Sequence, residues 1–231
     1  ASDEACDVLS EVLDHFDRHE SELMLELEAY LLSIAVMAGR MADTAQRAEA
    51  LEARLPRSSP GAGAVHATLD FRELVAGRPR ERVQLALADI ERGSAFGSHL
   101  SARSAPGLTL IWIDELDRAE ELFTALIKAA SRTGRRQSFE IFSALRGYAA
   151  HRRGDLADAA TDVEPILAAA HSDTPDVARV AALMTQIRLS VEDGQPEAAE
   201  ALARSARLSA VFERTLHAAL IRQAHGAAQL A

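Results

Sequence analysis

The chain has 231 residues, 48% of them hydrophobic, which suffices for one large domain or two small ones and excludes a disordered tail. Aromatic residues are only 4%, Gly and Pro are sparse at 12 and 7, and the apolar content is mostly Ala and Leu, so the composition predicts an all-α protein. The formal charge of −10, from 25 basic and 35 acidic residues, repels phosphate backbones and argues against direct nucleic-acid contact.

The single Cys6 excludes an internal disulfide and any multi-cysteine zinc site. No apolar run reaches the roughly 18 residues of a membrane span, and no basic, apolar and small-residue leader opens the chain, so no membrane contact and a cytoplasmic location are expected. The chain starts "ASDEACDVL" without Met, directly at what reads as a helix cap, and it closes "IRQAHGAAQLA" as a helical element finishes. A piece excised from a longer protein is expected.

In chain order, the apolar periodicity predicts helices near 2–18, 20–38 and 41–55, an N-terminal helical segment over 1–55. The break "PRSSPGAG" at 56–63 is rich in Pro, Gly and Ser. Helices resume near 64–76 and 80–92, a first degenerate helical pair within a region 56–106 that also holds the linkers. A loose stretch, "GSAFGSHLSARSAPG", covers 93–107. From 107 to 231 regular repeats are expected, with helices near 107–113, 115–133, 137–153, 155–171, 175–192, 195–207 and 209–228.

The stretch "LTLIWIDELDRAEELF" at 108–123 admits two readings: a strand whose Asp114 holds magnesium and whose Glu115 adjoins water, as in a nucleotide hydrolase, or a junction between helices. Its surroundings favour the helices. Leu116, Ala119, Leu122, Phe123, Leu126, Ile127 and Ala130 form one helix stripe. Leu156, Ala159, Ala160, Val163, Ile166, Leu167 and Ala170 repeat it 40 residues later, and "DELDRAE" at 114–120 recurs as "GDLADAA" at 154–160. A third, weaker copy is "DGQPEAAEAL" at 193–202, with Ala198 lying 39 after Ala159. Such a recurrence predicts an α-solenoid of antiparallel helix pairs with a period of about 40. Gly107 precedes Ala119 by 12, and Gly147 precedes Ala159 by 12, small-residue pairs that let two helices approach closely as in tetratricopeptide repeats. The phosphate-binding motif G-x-x-x-x-G-K-[ST] is absent, and Lys128 lies in mid-helix after the supposed strand. Nucleotide hydrolysis therefore has no residues to carry it.

Three lines, "HATLDFRELVAGRPRERVQLALADIERG" (66–93), "LIWIDELDRAEELFTALIKAASRTG" (110–134) and "FSALRGYAAHRRGDLADAATDVEPIL" (142–167), resemble in their order the middle region of the large ATP-binding regulators of the LuxR family, maltose-regulon-activator type, common in actinobacteria. The resemblance covers about residues 20–207. It implies a helical repeat array between an N-terminal ATPase and a C-terminal helix-turn-helix, neither of which lies in this chain. No catalytic or DNA-reading residue can be carried over. Pro165 interrupts what the family has as a smooth helix, so a kink or an early stop is expected there.

Glu11, His15 and His19 share one helix face at zinc-ligand spacing, but a third or fourth ligand is not indicated and a solvated face explains them equally. Arg132, Arg135 and Arg136 stand at one end of a helix about 25 Å long and Arg152 and Arg153 at the other, too far apart for one phosphate patch. Arg132, Arg152 and Arg153 suit the negative end of a helix dipole. Trp112 and Tyr148 are core aromatics or, alternatively, groove-lining ones. No G-x-S-x-G nucleophile context exists. The expectation is a non-catalytic segment, without cofactor or metal, that senses a small-molecule effector or protein partner, works with the rest of a full-length transcriptional regulator, and is a candidate homo-oligomer. The alternative is a free-standing tetratricopeptide adaptor that binds a peptide or protein.

Overall fold

The structure, a computed structural model, describes residues 2–15, 21–59, 61–77, 80–91, 104–168, 176–205 and 216–230. Every regular element among them is an α-helix, so the strand reading of 108–113 is excluded. The chain divides into two compact units, 1–113 and 114–231.

The first unit holds α1 (Ser2–His15), α2 (Glu22–Met37), α3 (Ala45–Arg54), α4 (Gly63–Val75), α5 (Arg80–Glu91) and α6 (Ser104–Trp112). Ser21 opens α2 as a side-chain cap, its hydroxyl accepting from the Met24 N–H, which satisfies one of the orphan donors of the first turn. Cys6 and Leu13 of α1 pack on Leu31 and Ala35 of α2, while Leu25, Ala29 and Leu32 of α2 join Ala48, Leu51, Val65 and Leu69 from α3 and α4. Helix α4 is buried at every position from Ala64 to Arg72. A helix buried on all sides is a hub, and α4 packs against α2, α3, α5 and α6. The sequence placed it in a degenerate pair with α5; it has four neighbours.

Its polar residues are satisfied by distant chain segments. The His66 Nε2 lies 2.8 Å from the Leu55 carbonyl. Arg72 donates to the Thr44 hydroxyl and the Met41 carbonyl. Asp70 accepts from both terminal nitrogens of Arg57, which also reaches the buried Asp89 of α5. The 93–107 stretch is not loose throughout: α6 starts at Ser104, with Ala105, Pro106 and Gly107 buried in its first turn, where proline loses no hydrogen bond. Because α6 belongs to the first unit and packs there on α4 and α5, the expected hairpin of 107–133 straddles the border between the units.

The second unit holds α7 (Leu116–Arg132), α8 (Arg136–Arg153), α9 (Leu156–Ala168), α10 (Asp176–Glu192), α11 (Pro196–Ser205) and α12 (Leu216–Leu230). Consecutive helices pack on one another throughout, and α8 also contacts α10, as α10 contacts α12. Helices α7, α9 and α11 start 40 residues apart, and Ala119, Ala159 and Ala199 within them are each 0% exposed. The third copy is thus corrected by one residue: Ala198 is exposed and Ala199 holds the buried place.

The turns recur at the same interval. Asp114, Gly154 and Gly194 all have left-handed backbones, with φ of 64°, 94° and 70°. At the two glycines the N–H of the following residue bonds back across the helix end, Asp155 to Ala150 O and Gln195 to Ser190 O, and Gly134 closes α7 likewise through Arg135 to Ala130 O. Asp114 is therefore the residue that follows a helix end, a conformation aspartate tolerates better than most side chains. Pro165 lies inside α9 on its exposed side, and the helix continues past it to Ala168, so α9 does not stop at Pro165; residues 169–175 lie outside the described residues.

Candidate functional site

On α8, Arg146 clamps Asp162 of α9 with two hydrogen bonds of 2.8 and 2.6 Å and also donates to Thr124 of α7. The flank of α8 that carries Arg146 therefore meets the helices on either side in sequence. Tyr148, about 200° further round at 100° per residue, lies on the other flank and is buried. Forty residues on, α10 has Arg188 at this place, and 40 further α12 has the buried Ala228. A charged group thus stands midway between two buried residues 40 positions away on either side.

Arg188 is half-buried. Its Nη2 donates to the Gln223 Oε1 of α12 at 3.0 Å, while its Nε is buried without a hydrogen-bond partner among the described residues. The other half-buried arginines of this unit that join helices rest on carboxylates: Arg146 on Asp162, Arg152 on Asp114 at 2.5 Å, and Arg153 on Asp117, Glu120 and Asp155. In the last turn of α8, within electrostatic reach of Arg188, both ring nitrogens of His151 are buried and have no hydrogen-bond partner among the described residues. Burial and, next, the charge of Arg188 push the His151 pKa below its usual 6.5, with Glu192 pulling the other way. His151 is accordingly neutral near pH 7. Arg188 and His151 thus bring buried nitrogens without hydrogen-bond partners among the described residues near one another on α10 and α8, and Gln223 of α12 accepts from Arg188, without a nucleophile or a paired acid and base among them.

The residues singled out in the sequence fall elsewhere. His15 Nδ1 lies 2.7 Å from the Glu11 carbonyl on an exposed face, His19 lies outside the described residues, and no cluster of His, Cys, Asp and Glu suited to a metal occurs among the described residues. Arg132 and Arg135 are exposed, Arg136 pairs with Glu140, and Arg152 and Arg153 are held by acids of α7 and the adjoining turns, so the basic residues do not make an anion patch. Tyr148 is core, whereas Trp112 is only half-buried. Arg188, His151 and Gln223 were not anticipated, because a lone Arg in mid-helix reads as solvated. The comparison of Arg188 with Tyr148 under the 40-residue shift marks Arg188 alone; His151 and Gln223 carry no such signal in the sequence.

No helix among the described residues is long and apolar enough to cross a membrane. Comparison with models of known families, with curated proteins and with solved structures gave no match.

Proposed function

We propose that residues 114–231 form a tetratricopeptide-like α-solenoid of antiparallel helix pairs, and that the chain is the non-catalytic sensor or interaction segment of a transcriptional regulator of the LuxR type. It receives a small effector or a protein partner on the surface of its repeats and couples that event to ATPase and DNA-binding domains outside this chain. The observation that carries the repeat reading is the recurrence, at 40 residues, of helix starts, of the buried Ala119, Ala159 and Ala199, and of the left-handed Asp114, Gly154 and Gly194. Stacked pairs of this kind present an extended surface suited to binding. The regulator reading rests on the resemblance of residues 66–93, 110–134 and 142–167.

The purified chain should neither hydrolyse ATP nor bind duplex DNA tightly at about 150 mM salt, in keeping with its charge of −10. In the gene, a phosphate-binding loop should precede this segment and a helix-turn-helix should follow it. Finding stop signals at both ends instead, with neither motif, would leave the free-standing adaptor.

A further inference from the structure

We infer that Arg188, His151 and Gln223 form a binding site for an anionic oxygen group, a carboxylate or a phosphate, held between α8, α10 and α12. The inference rests on the reading of this segment as a ligand receiver and names the chemistry of the ligand. Arg188 has a buried Nε–H with nothing to donate to and takes no carboxylate among the described residues. Leaving such a donor unmade is costly, and guanidinium is the side chain whose planar fork best fits an oxyanion. His151, whose neutral ring carries one N–H and whose two buried nitrogens have no partner among the described residues, adds a second donor, and Gln223, exposed on α12, already holds one Arg188 nitrogen in place. Glu192, on the exposed side of α10 four residues after Arg188, favours a small anion over a highly charged one.

The place also breaks the repeat. Tyr148 and Ala228 fill the corresponding positions with core, so packing does not demand an arginine there. Local departures from an otherwise consistent pattern are expected where binding has replaced packing.

The test is titration of the whole chain with inorganic phosphate and, separately, acetate, against sodium chloride at equal ionic strength, following the His151 ring by NMR. A saturable shift of that ring with a dissociation constant on the order of 1 mM is expected for at least one anion, and which of the two saturates names the source. Gln223→Glu places a carboxylate against Arg188 on an exposed position and should abolish saturation while the fold, read by circular dichroism, is retained. Arg179→Gln, an exposed change on the same helix, should leave the titration unchanged. Absence of a saturable shift with either anion, or saturation in Gln223→Glu equal to that of the parent chain, overturns the site. The repeat register is tested by core substitutions far from Arg188, so a failed titration with that register intact counts against the site alone.

Discussion

A Cβ added at Gly147 of α8 would lie 2.8 Å from the Val163 Cγ1 of α9, closer than real side chains approach. It would also lie 3.1 Å from the Asp162 Cβ and 3.2 Å from the Ala159 carbonyl oxygen. The absence of a side chain at 147 therefore sets how closely α8 and α9 can cross. Val163 cannot readily turn away, because a β-branched residue in a helix has one strongly preferred rotamer.

Gly147→Ala should for this reason destabilise, although alanine is the better helix former by about 1 kcal/mol. Overpacking of a tight contact costs about 1–3 kcal/mol, which outweighs that gain. Urea unfolding of Gly147→Ala, Val163→Ala and the double variant checks it. The double variant should recover part of the loss, whereas strict additivity would mean that the two residues do not meet.

The helix-ending turns offer an independent check. Gly154 and Gly194 have open space where a Cβ would go, so Gly→Ala at either isolates the backbone cost of a left-handed residue, about 1–2 kcal/mol. Asp114→Gly should carry no such cost. It loses only the pair with Arg152, in which Asp114 is largely exposed, an interaction worth at most about 1 kcal/mol. Thermal melts in which all three variants fall equally would contradict the assignment of position 114.

In the first unit, Arg57 sits between two carboxylates, Asp70 and Asp89, whose side chains are 1% and 3% exposed. Burial works against its charge, but the hydrogen bonds and charges of Asp70 and Asp89 outweigh burial and raise its pKa. Arg57→Ala removes the Arg57 hydrogen bonds of both buried acids and should cost about 3 kcal/mol, the low end for breaking a buried pair because Arg57 keeps some contact with water. Adding Asp70→Asn and Asp89→Asn should restore part of the loss, which denaturant midpoints would show.

Much of the second unit was legible in the sequence, and the reasons are local. Ala119 and Ala159 stand out because each is an alanine three residues after the leucine that opens its stripe, at the same place 40 residues apart and 12 after a glycine. The third copy slipped by one because "PEAAEAL" offers two adjacent alanines; the 40-residue spacing that separates Gly154 from Gly194 falls, from Ala159, on Ala199. In the first unit the hub helix α4 was not legible: Asp70 and Arg72 give it a polar face, and the partners that allow their burial, Arg57, Thr44 and Met41, come from other segments. The Arg188 cluster was hidden likewise, since only the packing of three helices brings Gln223 to Arg188 and His151 within reach of its charge.

Stability should also depend on pH through His151. Its folded-state pKa lies below the unfolded value of about 6.5, so on acidification the unfolded chain takes up the proton first. Stability contributed by the neutral ring is present above about pH 6.5 and is lost as pH falls from there towards the lower folded-state value. His151→Gln should flatten this limb of the stability curve. Urea midpoints measured across that window in both proteins would show it; a parent chain that gains stability on acidification relative to His151→Gln would contradict the sign.

The repeat register is tested most directly by one set of urea melts on six leucine variants. Ala119, Ala159 and Ala199 are fully buried at corresponding places, whereas Ala125, Ala157 and Ala198 are exposed on the same three helices. Because every change is Ala→Leu, helix propensity is nearly constant across the set. The repeat predicts that all three buried substitutions lower stability by about 1–3 kcal/mol, while the exposed three stay within about 0.5 kcal/mol of the parent. If Ala198→Leu proves more damaging than Ala199→Leu, or if Ala159→Leu is no worse than Ala157→Leu, the 40-residue register is wrong.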